Sequence, residues 1–239
     1  MHTEQDIENA LHEISGGRLL DVATGGGGFI AALLESLKDY TEITGIDLRE
    51  SPPDSEDSVF KRDNITYQKM DARAMTFADA SFDTVTTANS LHHMADPQRV
   101  LAEMVRVLKP GGHLIVREMY RDHQTEEQLT HVYLHHWWGA IDRALGITHH
   151  ETYTRQTLVD WFGGLGLRQV SIFDDADLDS DPHDEERRTA LHAQIARYLE
   201  RAKELPNFAA IQAESETLAR RLDTIGFRGA AALFVIGQK

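Results

Sequence analysis

Residues Arg18 to Leu37 read RLLDVATGGGGFIAALLESL, and the order of residue types in that stretch decides the fold. A short apolar run, Arg18 to Ala23, turns into four consecutive glycines and then into Phe29, Ile30, Leu33, Leu34 and Leu37 at helical spacing. That is a strand, a glycine loop and a helix. Glycines let a backbone turn tightly and approach a ligand with no Cβ in the way, so Asp21-Val22-Ala23-Thr24-Gly25-Gly26-Gly27-Gly28 is the first candidate for a cofactor loop. The alternative is a glycine-rich turn with no ligand.

The alternation continues outward. Glu42 to Leu48 (EITGIDL), Ile65 to Met70 (ITYQKM) and Phe82 to Thr87 (FDTVTT) read as further strands. Val100 to Leu108 reads as a helix, and His113 to Met119 as a fifth strand after the turn Lys109-Pro110-Gly111-Gly112. Strands interleaved with helices imply right-handed crossovers and a mainly parallel sheet covered on both faces. Upstream, Ile7, Leu11 and Ile14 place an amphipathic helix between Thr3 and Ser15, stopped by Gly16 and Gly17. Downstream, Thr125 to Leu145 and Thr154 to Phe162 are helical, and Leu167 to Phe173 is a strand. Apolar stripes at Leu191, Ile195, Leu199 and Ala202 and at Leu218, Leu222 and Ile225 mark two more helices, and Ala230 to Ile236 closes the chain as a buried strand. The reading is one domain over 1–239: a cofactor-binding core at 15–120, a helical cap at 121–152, a second helical insertion at 175–226 and a final strand within 228–239.

The chain has 239 residues, room for one domain with a substantial core. Its 24 Lys and Arg face 39 Asp and Glu, a formal charge of −15 that disfavours nucleic acid and anionic membrane surfaces as partners. There is no cysteine, which excludes disulfides, thiolate metal sites and a cysteine nucleophile, whereas histidine occurs 13 times. The N-terminus lacks the basic and apolar runs of a signal peptide and no stretch is long enough to span a bilayer, so a cytoplasmic protein is expected.

Asp47 ends the second strand 22 positions after Gly25, where an acid accepts hydrogen bonds from ribose hydroxyls. With that residue the chain resembles the class I S-adenosylmethionine-dependent methyltransferases, over most of residues 15 to 120. The family's acid-x-Gly-x-Gly-x-Gly loop reads here DVATGGG, with Asp21, Gly25 and Gly27 matching. Ala23 replaces the first glycine, as in a loop similar to that of quinone-pathway C-methyltransferases. The segments FDTVTTANSLHHMADP, Phe82 to Pro97, and VLKPGGHLIV, Val107 to Val116, resemble the family's fourth strand with its turn and the run into its fifth.

The resemblance implies a Rossmann-like, mostly parallel seven-stranded α/β sheet with helical insertions forming a cap. It implies S-adenosyl-L-methionine as cofactor and S-adenosyl-L-homocysteine as product. Asp21 would orient the methionine amino group, and Ala23, Thr24, Gly25 and Gly27 would lie against the cofactor. Asp47 would hold the ribose, Leu48 would flank the adenine, Asp71 and Ala72 would recognise its edge, and Asn89 and Ser90 would complete the pocket. Two other classes stay open: a non-catalytic S-adenosylmethionine-binding module, and an NAD-linked oxidoreductase, which the missing third glycine of a Gly-x-Gly-x-x-Gly loop disfavours.

Methyl transfer needs an aligned acceptor and, for many acceptors, a base near neutral pKa. His92 and His93 follow Asn89-Ser90-Leu91 at the carboxyl end of the fourth strand, and Glu118 and Tyr120 lie at the matching end of the fifth. His131 and His135 sit four apart on one helical face, a spacing that can bind metal with a further ligand from His149, His150 or Glu118. The primary reading has no metal; a metal-assisted methyltransferase using this His cluster is the alternative, with His131, His135 and His149 as candidates. Catalytic candidates are His92, His93, Glu118, Tyr120, His131 and His135. Tyr133, Trp137 and Trp138 are either walls of an acceptor pocket or core residues joining the cap to the sheet, and Arg117, Arg121 and Arg143 either meet an acidic acceptor or form local ion pairs. The eight carboxylates from Asp174 to Glu186 read as a solvated loop without EF-hand spacing. The expected partner is a small-molecule acceptor, with no nucleic acid and no membrane, and the inserted helices either cover the site or make a homodimer interface.

Overall fold

The computed structural model describes residues 4–53 and 58–239. Its elements in chain order are α1 (Glu4–His12), β1 (Arg18–Val22), α2 (Gly28–Ser36), β2 (Glu42–Asp47), β3 (Ile65–Lys69), β4 (Phe82–Ala88) and α3 (Pro97–Val107). There follow β5 (Leu108–Met119), α4 (Glu126–Ala144), α5 (Arg155–Gly163), β6 (Arg168–Asp175), α6 (Glu185–Ala202), α7 (Phe208–Thr224) and β7 (Ala232–Gln238). The expected start of the first helix at Thr3 lies outside the described residues.

The seven strands form one sheet in the order β3-β2-β1-β4-β5-β7-β6, parallel from β3 through β5, with β7 antiparallel to both neighbours. The chain steps from β1 to β2 on one side and later returns to place β4 on the other, so the crevice beyond the carboxyl ends of β1 and β4 is the topological switch point where open α/β sheets take ligands. Strand periodicity sorts the core. Leu20, Val22, Leu114, Val116, Leu233 and Val235 pack with Val100, Leu101, Met104, Leu158 and Phe162 of α3 and α5. Leu19, Ile43, Ile115, Phe234 and Ile236 face the other way, onto Ile7, Leu11, Ile30 and Leu33 of α1 and α2.

Two of the spans that differ from the sequence reading do so through a partner remote in sequence. β5 begins at Leu108 rather than His113, because the Lys109 to Gly112 segment is itself paired: Gly111 N–H donates to Lys239 O at 2.8 Å and Lys239 N–H to Gly112 O at 3.1 Å. A Cβ on Gly112 would sit 2.6 Å from the Asp83 carbonyl oxygen, which is why glycine stands there. The acidic run is only partly a loop. Asp174 and Asp175 end β6, where Arg155 and Arg117 each pair with one at 2.6 Å. Glu185 and Glu186 open α6 behind the capping carboxylate of Asp184, where the helix dipole favours acids.

α4, α6 and α7 build a separate small core over the sheet's carboxyl edge, from Leu134, Trp137, Trp138, Ile141, Leu191, Ile195, Ile211, Leu218 and Leu222. Trp137 is 2% exposed and its indole N–H donates to the Ile211 carbonyl at 3.2 Å. Of the two readings weighed for Trp137 and Trp138, cap core is the one observed; Tyr133 is exposed, under the guanidinium of Arg221. Among the described residues no helix is long and apolar enough to cross a membrane.

Candidate active site

The glycine loop lies at the switch point, and its shape is set by backbone conformation. Ala23, Gly25 and Gly27 have φ of +56°, +55° and +81°. Left-handed backbone is cheap for glycine and costs an L side chain roughly 1–2 kcal/mol, so Ala23 occupies a conformation that favours the glycine of the family loop. Thr24 closes the turn, with its N–H donating to Ile46 O at 2.9 Å and its carbonyl accepting from Gly27 N–H at 2.8 Å. A Cβ on Gly25 would meet no atom within 4 Å, while one on Gly27 would strike Val59 at 2.5 Å. Gly27 is therefore required by the protein's own packing and Gly25 by its φ.

Asp21 is 1% exposed and accepts from the Thr86 hydroxyl at 2.7 Å. Burial pushes its carboxyl up to about 6, hydrogen bonding from Thr86 works against that rise, and the charge of Asp47 adds to it. Asp47 accepts from Gly25 N–H at 2.9 Å through Oδ2 and from Arg49 N–H at 3.1 Å through Oδ1. A cavity of about 400 Å³ opens between Asp21, Ala23 and Thr24 of the loop, Gly28, Phe29 and Ala32 of α2, Ala88 and Asn89 after β4, and Arg117 of β5. Asn89, itself at φ +47°, donates its N–H to Arg117 O at 2.7 Å, and the Ser90 hydroxyl donates to Ala88 O at 2.7 Å. Leu48 is 67% exposed just beyond Asp47. Asp71 caps the single 3-10 turn Ala72–Ala74, and hydrogen bonds from Arg73 hold its carboxyl below the usual range.

The turn after β4 is organised by Glu118, which has no exposed surface. Its Oε2 accepts from Leu91 N–H at 2.8 Å and its Oε1 lies 2.5 Å from His92 Nδ1, fixing the 3-10 turn Leu91–His93. Tyr120 is buried with its hydroxyl committed to Asp174 at 3.1 Å, and burial raises its phenol well above the ordinary value. His131 accepts the Ala230 N–H at Nδ1, 2.8 Å, anchoring α4 to the chain entering β7, and burial pulls it down to about 4.

The structure brings four other imidazoles together. His92 and His93 come from the turn after β4, His135 from α4 and His149 from the segment after α4. The His135 ring is 4.7 Å from both His92 and His149, and the His93 ring 4.2 Å from both. Asp142, not singled out from sequence, accepts from His149 Nδ1 at 2.8 Å; its position seven residues after His135, on the same helix face, was the available signal. Burial lowers the pKa of His93 to about 3 and of His135 and His149 in the same direction, so these rings are neutral near pH 7. His150 contributes its backbone instead, donating N–H to His92 O at 2.7 Å. Arg117 pairs with Asp175, Arg121 with Glu151, and Arg143 donates to His149 O, so all three serve local contacts, Arg117 while also lining the cavity. Phe29 and Ala32 went unread as cavity residues, although a first helical turn after a glycine loop is where they would fall.

Strand order 3-2-1-4-5-7-6 and an acid-glycine loop at the switch point together define a class I methyltransferase fold. Residues 20–116 match the family described as Methyltransferase domain. The chain is 38% identical over 99 residues to the ubiquinone/menaquinone biosynthesis C-methyltransferase UbiE of Desulfotalea psychrophila, covering 41% of this chain and 40% of that one. It is 35% identical over 138 residues to the demethylmenaquinone methyltransferase of Renibacterium salmoninarum, covering 56% and 54%. The chain thus spans about half the length of the curated relatives it matches. A solved structure from Bacillus halodurans C-125 superposes with a TM-score of 0.60 at 19% identity, covering 98% of each chain, and so shares the fold. Residues 20–116 are thus similar to a methyltransferase domain set in a class I methyltransferase fold, a family whose cofactor is S-adenosylmethionine.

The residues present fit that cofactor. A buried carboxylate, Asp21, lines the cavity and would suit a cationic ammonium group, and Asp47 at the tip of β2 would suit ribose hydroxyls. An exposed leucine, Leu48, is an apolar surface for a planar base.

Proposed function

We propose that this chain transfers the methyl group of S-adenosylmethionine to a nucleophilic atom of a small-molecule acceptor held between the glycine loop and the cap. The observation that carries the reading is buried Asp21 lining the cavity at the switch point, beside a glycine loop whose Gly25 N–H is bound by Asp47, two acids matched to a cationic, ribose-bearing ligand. Bound there, the cofactor supplies a methyl carbon on a sulfonium leaving group.

The chain's residues do the rest. Asp21 and Asp47 hold and orient the cofactor, Leu48, Asp71 and Ala72 receive its adenine, and Asn89 and Ser90 shape the floor toward the acceptor. The imidazoles of His92, His93, His135 and His149 wall the acceptor side, His93 being the exposed member. Glu118 and Asp142 act as positioning residues for His92 and His149. The Desulfotalea relative is a C-methyltransferase of quinone biosynthesis and the Renibacterium relative a demethylmenaquinone methyltransferase, which favours an electron-rich phenolic or hydroquinone-like acceptor here. Deprotonating such a hydroxyl raises the nucleophilicity of the ring.

The test is calorimetric titration with S-adenosylmethionine and with NAD, followed by a search for S-adenosylhomocysteine across a panel of phenols and hydroquinones. Binding of S-adenosylmethionine and not NAD, with product formed only when an acceptor is present, supports the reading. Binding without turnover on any acceptor would favour the non-catalytic module.

A further inference from the structure

We propose that His92, His93, His135 and His149 bind one divalent transition-metal ion of the zinc type, joining the end of the sheet to the cap. One nitrogen from each ring lies within 4.8 Å of the others. Tetrahedral zinc with bonds of about 2.0–2.1 Å places its ligand nitrogens roughly 3.3 Å apart, so modest ring rotations close the set.

Two further observations point to a ligand. His135 Nδ1 and His149 Nε2 are buried and have no hydrogen-bond partner among the described residues, in side chains 8% and 3% exposed. A buried polar atom left without a partner is costly, and two of them in one cluster are accounted for together by an ion between them. The second observation is the surrounding shell. His149 Nδ1 faces Asp142 Oδ2 at 2.8 Å and His92 Nδ1 faces Glu118 Oε1 at 2.5 Å. A carboxylate that takes the Nδ1 proton leaves Nε2 as the free lone pair and fixes the ring, the arrangement that holds histidine on a metal. The carboxylates are themselves pinned, Asp142 by Arg201 at 2.7 Å and by the Tyr198 hydroxyl at 3.2 Å, Glu118 by Leu91 N–H at 2.8 Å.

The donor set selects the ion. Four imidazoles with no oxygen ligand suit zinc, cobalt, nickel or copper and disfavour magnesium and calcium. His93, exposed where the other three are buried, is the solvent-side ligand and the route of entry. Because binding is read directly, this inference does not depend on methyl transfer.

The experiment uses the full chain without an affinity tag, stripped with a chelator and titrated with Co²⁺ and with Zn²⁺. Expected are one ion per chain, visible ligand-field bands of nitrogen-coordinated Co²⁺, and a rise in Tm as the ion ties α4 to the turn after β4. His93→Ala, which alters an exposed ring and preserves the buried packing, should weaken binding at least tenfold, and His135→Ala and His149→Ala more. His192→Ala, on an exposed pair with Asp223 in the cap, should bind as the wild type does. A wild-type chain that binds neither ion, or binds both no more tightly than the His93→Ala chain, overturns the proposal and leaves the four rings as an imidazole-lined acceptor wall.

Discussion

The backbone N–H of Gly25 donates to Oδ2 of Asp47 across 2.9 Å, so the tip of β2 holds the glycine loop that follows β1. The carboxylate expected to bind ribose is thus also the tether of the cofactor loop. Asp47→Ala removes a charge-assisted hydrogen bond of about 1.5–3 kcal/mol and a ribose acceptor together. The expected result is at least tenfold weaker S-adenosylmethionine binding by calorimetry with a fall of a few degrees in Tm. Unchanged affinity would take Asp47 out of the site.

Asp21 makes the site pH-dependent. Its folded pKa of about 6 means that a cationic ligand must be met by an ionised carboxylate, so affinity should fall about tenfold for each pH unit below about 6 and level off above it. Asp21→Asn should flatten that profile and weaken binding throughout. Affinity independent of pH between 4.5 and 7 contradicts this role.

The same shift has an opposite consequence for stability. A carboxyl raised from 3.8 to about 6 stabilises the fold fully below pH 3.8 and loses that contribution as pH rises through 6. A rise from 3.8 to about 6 corresponds to about 3 kcal/mol. Asp21→Asn, able to keep accepting from Thr86, should therefore unfold at higher urea at pH 7 than the wild type, while binding cofactor less well. A lower midpoint would show that the ionised carboxylate is better solvated than its burial implies.

Ala23 sits at φ +56° where the family has glycine. Ala23→Gly relieves left-handed strain of about 1–2 kcal/mol and gives back somewhat less through unfolded-chain entropy, so Tm should stay level or rise. Ala23→Val should lower it. A clear fall in Tm for Ala23→Gly would mean that the methyl group packs usefully.

Trp137 tests the cap. Buried among α4, α6 and α7 and bonded to Ile211 O, it should cost about 3–5 kcal/mol as Trp137→Ala, visible as early loss of near-UV signal from the cap during urea unfolding. A pure rise in acceptor KM with unchanged stability would return Trp137 to the acceptor wall.

What the sequence shows and what it hides divide along contact distance. The Arg18 to Leu37 unit was readable because apolar period, glycine run and helical spacing are local, and Asp47 because a strand end is marked by its neighbours. The early start of β5 was hidden because Lys239 supplies the pairing, and the Asp174 and Asp175 strand end because Arg155 and Arg117 lie opposite. The imidazole group shows the limit best. Helical spacing linked His131 to His135, yet His131 is held by Ala230 N–H, and His135 meets His92, His93 and His149, which only the docking of α4 on the sheet edge brings near.

The most direct test is mass spectrometry of a hydroquinone-type acceptor incubated with the chain and S-adenosylmethionine carrying a trideuterated methyl group. The account predicts that the label appears on the acceptor with one S-adenosylhomocysteine released per methyl, and that Asp21→Asn slows both together. Saturating cofactor binding with no labelled acceptor and no S-adenosylhomocysteine, over phenolic, amine and thiol acceptors alike, would contradict methyl transfer.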